Sequence, residues 1–328
     1  MKILQGILQS IVNNKKCYTF EVKMDGLRQS ILSAVFFVYS TVSAQEQAKV
    51  DFIPNFKTGD RLVYQLVETS FRQNPNGHYL YLMYDTSYMV FNVKEKNDSQ
   101  TLIDFNYADA IINDKFYVEE TKYPNYLKTE TYKLVLDSKG EFLELSNWET
   151  FASIVLQNIK MSYMQKKLDS NSLKYYYLYY HNQENVEKAV LPRVLELFDL
   201  FGKSCELGST YSFAREIVNP FNGTGLLKSC AFKPSKSPKY PNSIFFSGSV
   251  KTNAEDNDCL QEDYYAKINE KKPDVDSDIA APYIYIVDSY NYQWGVINKR
   301  ILSYTTTHTV YLGEDKQGLD RIYSLYAL

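Results

Sequence analysis

Runs in which apolar and polar residues alternate, each closed by a Gly, Asn or Asp turn, recur along this chain and commit most of it to antiparallel sheet. The clearest is Asp60–Thr69, where Leu62, Tyr64, Leu66 and Glu68 fall on one face. Asn74-Pro75-Asn76-Gly77 then turns the chain, with Gly77 free to take positive φ. Tyr79–Lys94 reads as a long strand with a bend at Asp85-Thr86-Ser87. Asn97-Asp98 reverses it, and Thr101–Tyr107 returns. These runs predict a meander. Lys128–Leu145 predicts a hairpin, Thr131–Leu136 and Glu141–Leu145 around Asp137-Ser138-Lys139-Gly140.

The period then changes. Ser146-Asn147-Trp148-Glu149 has the capping-box pattern, and Phe151, Ile154, Val155, Ile159 and Tyr163 share one helical face, which predicts a helix near 147–168. A second helix is predicted over 184–201, with Val186, Val190, Val194, Leu197, Phe198 and Phe201 on its apolar side. Pro192 should kink or split it, and Gly202 should stop it. The tyrosine run Tyr175–Tyr180 between them remains unassigned. Strand character returns at Ser243–Thr252, Tyr283–Tyr290, Arg300–Leu312 and Arg321–Tyr326, around an irregular or partly helical insertion, Asn253–Asp278. Strands, then helices, then strands give an α+β fold: a curved antiparallel β-sheet, an incomplete barrel, with two or three helices packed on one face.

The N-terminal segment sets the compartment. Ile31–Val42 is apolar or small throughout, too short for the roughly 20 residues of a membrane-spanning helix but right for a signal-peptide core. Val42-Ser43-Ala44 supplies a cleavage site, and Lys15, Lys16, Lys23 and Arg28 supply the preceding positive charge. Residues 1–44 are read as the signal peptide, 1–23 of it either as an over-long start ahead of Met24 or as an extended n-region. Residues 45–58 are read as a linker and 59–328 as one β-rich domain. The mature protein, starting near Gln45, is expected in the periplasm or outside the cell and not spanning the membrane.

Cleavage removes five basic and two acidic residues, so the net charge moves from −3 to −6. That balance excludes a nucleic-acid partner, which needs a basic patch. Cys205, Cys230 and Cys259 remain, at spacings that match no zinc or redox motif. One pair plus one thiol, or three separate buried thiols, both fit.

Gly59-Asp60 leading into Tyr64, and Asp137–Glu141 leading into Trp148, resemble a group of exported, uncharacterised β-rich proteins of Gram-negative bacteria. The layout is also similar to periplasmic lipoprotein carriers of the LolA/LolB type. That resemblance implies a curved sheet wrapped around helices and holding a lipid. It transfers no site residue.

Chemistry is sparse. No Gly-x-Ser-x-Gly elbow or His-Glu-x-x-His pair occurs, and His78, His181 and His308 stand alone. Asp274, Asp276 and Asp278 open like a calcium loop, but Ile279 and Tyr285 occupy its required Gly and Glu positions. No catalytic residue, metal or cofactor is therefore assigned. Tyrosine numbers 30, and Tyr79, Tyr81, Tyr175 and Tyr177 are the candidates for a contact surface. The expectation is an exported, non-enzymatic binding or carrier protein for an apolar ligand or lipidated partner, meeting lipid or an envelope protein. The alternatives are an envelope structural or interaction module, and a secreted hydrolase with no visible motif.

Overall fold

The computed structural model describes residues 49–112, 115–117, 130–222, 224–237, 239–268 and 282–326. The segment Ile31–Ala44 and the Asp274–Asp278 alternation lie outside them. No helix among the described residues is long and apolar enough to cross a membrane.

The predicted meander is present. β2 (Arg61–Gln73), β3 (Tyr79–Lys96) and β4 (Gln100–Ala108) pair in sequence, and β7 (Tyr132–Asp137) and β8 (Phe142–Leu145) follow as the Gly-turn hairpin. Leu62, Tyr64, Leu66 and Glu68 are all buried. β3 stays in register with β2 through Asp85-Thr86-Ser87, so the expected bend does not interrupt the ladder. A small separate ladder joins β5 (Ala110–Ile112) to β6 (Lys115–Tyr117).

The C-terminal strands build the other half. β10 (Tyr211–Val218), β11 (Gly225–Ser237), β12 (Tyr240–Lys251), β13 (Ile284–Gly295), β14 (Arg300–Leu312) and β15 (Asp315–Tyr326) run antiparallel in that order. β15 then pairs with β2, which joins the halves into one eleven-stranded sheet, with β10 and β8 at its two edges. On the C-terminal side of the seam, Tyr292, Tyr304 and Tyr323 face one another on the adjacent strands β13, β14 and β15. Their rings stack with centroids 4.0 and 5.2 Å apart. Cross-strand aromatic pairs of this kind are a unit of sheet stabilisation.

The helical region differs from expectation in instructive ways. α1 (Trp148–Met164) forms, but Ser146 and Asn147 do not cap it. Ser146 Oγ donates to Lys133 O, and Asn147 bonds Lys133 N and Thr131 O, so both tie the turn to β7 instead. The tyrosine run is a helix, α2 (Ser170–Tyr179), capped by Asp169 accepting from the N–H groups of Asn171 and Ser172. The 184–201 helix is two: α3 (Gln183–Val190) and α4 (Pro192–Phe198). Pro192 sits at the first position of α4, where its missing N–H costs nothing. All six apolar residues predicted for this stretch are buried, with Phe201 just past the end of α4. Including α5 (Ala254–Ile268), five helices occur among the described residues, rather than two or three.

The segment read as a linker is partly core. β1 (Lys49–Asp51) pairs with β9 (Ser204–Glu206), and the domain starts there rather than at 59. Phe52 is buried edge-on against Phe246 and Trp294, at 4.5 and 5.4 Å. What holds Phe52 is the pocket made by distant strands, not its neighbours in sequence.

α3 and α4 touch strands across the whole sheet. Glu187 accepts from the N–H of Leu145 in β8 at 2.8 Å. Phe198 packs on Phe91 of β3. Glu196 accepts from the Tyr323 hydroxyl of β15 at 2.7 Å, and Asp199 accepts from Arg215 of β10.

Candidate functional site

The β2–β3 hairpin carries the most unusual surface of the described residues. Its turn is held by Gly77 at φ +78°, with its N–H donating to Asn74 O, and by Asn74 Oδ1 accepting from the His78 N–H at 3.0 Å. Toward the body of the sheet, β3 buries Met89, Phe91 and Val93. Toward the turn, burial stops. Tyr79, Leu80, Tyr81, Leu82, Met83 and Tyr84 are consecutive and each 39–66% exposed. Local contacts hold some of them: Tyr79 meets Phe71 edge-on at 6.3 Å, and the Tyr81 hydroxyl donates to Met83 Sδ at 3.2 Å. A contiguous exposed apolar run marks a contact site or an aggregation hazard far more often than a scattered exposed residue does.

The backbone of this run is laddered on one side. Pairing with β2 continues out to Gln73 and Tyr79, whereas pairing with β4 ends at Tyr88 and Ala108. β5 comes near β3 but ladders with β6. Among the described residues, no strand pairs with the outer side of Tyr79–Ser87.

The four candidate tyrosines are split. Tyr79 and Tyr81 lie in this run. Tyr175 and Tyr177 lie on α2, two residues apart and so on different sides of the helix. Tyr175 stacks on Tyr179 at 5.8 Å. α2 buries none of its residues, and between it and α1 runs an open groove of about 400 Å3, lined by Val155, Ile159, Tyr176 and Tyr180 with Asn158 and Lys167. Leu80, Leu82, Met83 and Tyr84 join the surface unforeseen. Their signal was available: six uncharged residues beside a turn with no alternation at all.

A second cluster is polar and buried. Glu68 accepts from Arg193 Nη2 at 2.6 Å and from Arg321 Nε at 2.8 Å. Arg321 also reaches Glu196, which takes the Tyr323 hydroxyl. Arg215 pairs with Asp199, donates to the Tyr292 hydroxyl at 2.9 Å and lies 3.9 Å from the centre of the Tyr290 ring. Asp288 meets His308 Nδ1 at 2.7 Å and the Tyr290 hydroxyl at 3.1 Å. Each of these carboxylates already has a cation or donor, so the cluster fastens α4 to the sheet. Burial pushes the Glu68 carboxyl up, but Arg193 and Arg321 together outweigh it and hold the group below its ordinary value of 4.5.

That shift has a sign. A carboxylate depressed by folding contributes stability that is complete above its unfolded value and is lost as pH falls through the folded one. The Glu68 contribution to the thermal midpoint is therefore constant from pH 7 down to about pH 5 and declines below the ordinary value. Glu68→Gln should flatten the acid limb measured by circular dichroism. An unchanged acid limb would show that Glu68 is not the group being titrated.

The remaining candidates are structural. Cys205 and Cys230 are buried free thiols, pushed up by burial to about 12 and about 11, and the pairing between them is not formed. Cys259 is exposed. His181 Nδ1 meets the Tyr177 carbonyl, and His78 ends the hairpin turn. Among the described residues no group of three His, Cys, Asp or Glu side chains is arranged to hold a metal.

Comparison with known proteins adds little. No family model matches the chain, and no curated protein does. A solved structure that matches is "OmpTdeltaL8 (loop L8 deletion mutant of OmpT), an outer membrane protein of Vibrio cholerae", at 8% identity and a TM-score of 0.21, over 82% of this chain and 100% of that one. A likeness at that score carries no argument.

Proposed function

We propose that this protein is an exported, non-enzymatic interaction module of the cell envelope, and that its contact surface is the Tyr79–Tyr84 run of β3. The observation that carries this reading is the stretch of six consecutive exposed apolar residues on a strand whose outer side there pairs with no other strand among the described residues. Export rests on Ile31–Ala44, which has the length and flanks of a signal peptide.

The sheet is inferred to curl into an incomplete barrel around α3 and α4. Eleven strands laid flat at about 4.8 Å spacing put β10 and β8 about 48 Å apart. Glu187 on α3 and Asp199 at the end of α4 are about 18 Å apart when the two helices are laid end to end in one line, yet they reach β8 and β10 respectively. A curled sheet satisfies both contacts. Its inner positions are then filled rather than hollow: Leu66, Phe105 and Tyr132 are fully buried, as are Val186, Val194 and Leu197 from the helices. A carrier needs an apolar hollow, and this filling favours the interaction module over it.

The test is a photo-crosslinking amino acid placed at Tyr81 in cells making the full chain. A covalent adduct to an envelope protein is expected, from a product whose N-terminus lies near Gln45. Abundant exported protein with no adduct would remove the contact-surface reading.

A further inference from the structure

We infer that the β3 edge pairs with the β3 edge of a second copy of this chain, so that two sheets join across the Tyr79–Tyr84 run. This rests on the reading of that run as the contact surface, and names its partner.

The run of exposed apolar residues belongs to the outer strand of the hairpin. The facing stretch of β2 is Thr69, Ser70, Phe71, Arg72 and Gln73, and Arg72 pairs with Asp315 at 3.5 Å. Immersion of the hairpin in lipid would bury that guanidinium at high cost. A partner approaching the edge leaves it in water. The run is also exposed in every residue, so both faces of the strand need cover. A flat protein surface covers one face. An added strand supplies side chains on both faces and hydrogen bonds to the edge between them.

The run is complementary to itself. In an antiparallel two-fold pairing inner face must meet inner face, which centres the pairing on a residue. The ladder with β2 is regular from Tyr81 inward, with its irregularity at Leu80. Centred on Leu82, the pairing sets Leu82 against Leu82 of the second copy, Tyr81 against Met83, and Leu80 against Tyr84. The nearest charge, Asp85, then falls opposite Tyr79, so no like charges meet. Sheet edges are ordinarily guarded by Lys, Pro or inward charge; between His78 and Asp85 this one has none.

Three measurements decide the matter. Sedimentation equilibrium of the purified mature protein should give twice its chain mass, and Leu82→Lys, which sets two ammonium groups face to face, should weaken the dimer at least tenfold while leaving the far-ultraviolet circular dichroism spectrum unchanged. Leu82→Cys in a Cys259→Ser background should form a covalent dimer under mild oxidation, because directly opposed Cα atoms lie about 4.5–5.5 Å apart. Leu178→Cys, exposed on α2, should not. A monomeric wild type with no Leu82→Cys dimer overturns the second-copy inference. If crosslinking at Tyr81 then still captures a different envelope protein, the contact-surface reading survives alone; if it captures nothing, both fall.

Discussion

Glu68→Ala lowers the unfolding free energy by about 3 kcal/mol, the low end for removing one partner of a buried charge cluster. The low end is appropriate because Arg193 and Arg321 keep side-chain exposures of 29% and 25%. Arg321 also retains Glu196, whereas Arg193 has no second carboxylate among its described contacts. The loss should appear in the urea midpoint at pH 7 and shrink toward zero in acid, where the wild-type carboxylate is itself protonated. Replacing Glu68, Arg193 and Arg321 together by Leu, Met and Met should recover most of the loss, since well-packed apolar groups often match a buried ion cluster. A loss below about 1 kcal/mol at pH 7 would mean that the cluster behaves as a surface ion pair and does not fasten α4.

Tyr304→Ala should cost about 4 kcal/mol, the usual penalty for emptying a large aromatic site in a core. Tyr304 is fully buried and stands between Tyr292 and Tyr323, so its removal breaks two stacked contacts at once. Each such contact is worth about 1 kcal/mol beyond area. Tyr304→Phe keeps the ring and should stay within about 1 kcal/mol of wild type. Near-ultraviolet circular dichroism reports the ladder directly, and Tyr304→Ala should lose signal that Tyr304→Phe keeps. Equal losses from the two variants would place the stabilisation in the hydroxyl instead of the stack.

Which parts of this fold can be read from sequence depends on how local their cause is. Leu62, Tyr64, Leu66 and Glu68 alternate because one face of β2 is buried, and period alone finds them. The α3–α4 break follows from Pro192, whose ring acts on its own turn. α2 is harder, because tyrosine favours strands while the Asp169 cap favours a helix, and the cap wins with little burial to help. Ser146 and Asn147 carry a helix-capping pattern but spend their hydrogen bonds on β7, a choice made by the hairpin beside them. β10 and β11 escape the pattern altogether. Pro234 sits inside β11, and it is tolerated because β10 pairs only as far as Phe232, leaving β11 laddered on one side there. The contact run is half legible: its tyrosines stand out by composition, while its aliphatic members are hidden inside what reads as one long strand.

The pairing of β15 with β2 also governs how the molecule is assembled in time. Arg321 and Glu68 touch across 253 residues of chain. The strands β2–β8 and β10–β15 each ladder among neighbours in sequence, so either half can nucleate locally, but the seam between them has to wait for a closure of that length. During synthesis β2 emerges long before β15 and stands with an open edge in the interval. The Glu68 cluster spans this seam and so forms late, and variants there should speed unfolding more than they slow folding, whereas the tyrosine ladder lies within β13–β15 and can form with its own half. The slowest and most aggregation-prone moment in the life of this chain is then the interval before its two half-sheets meet.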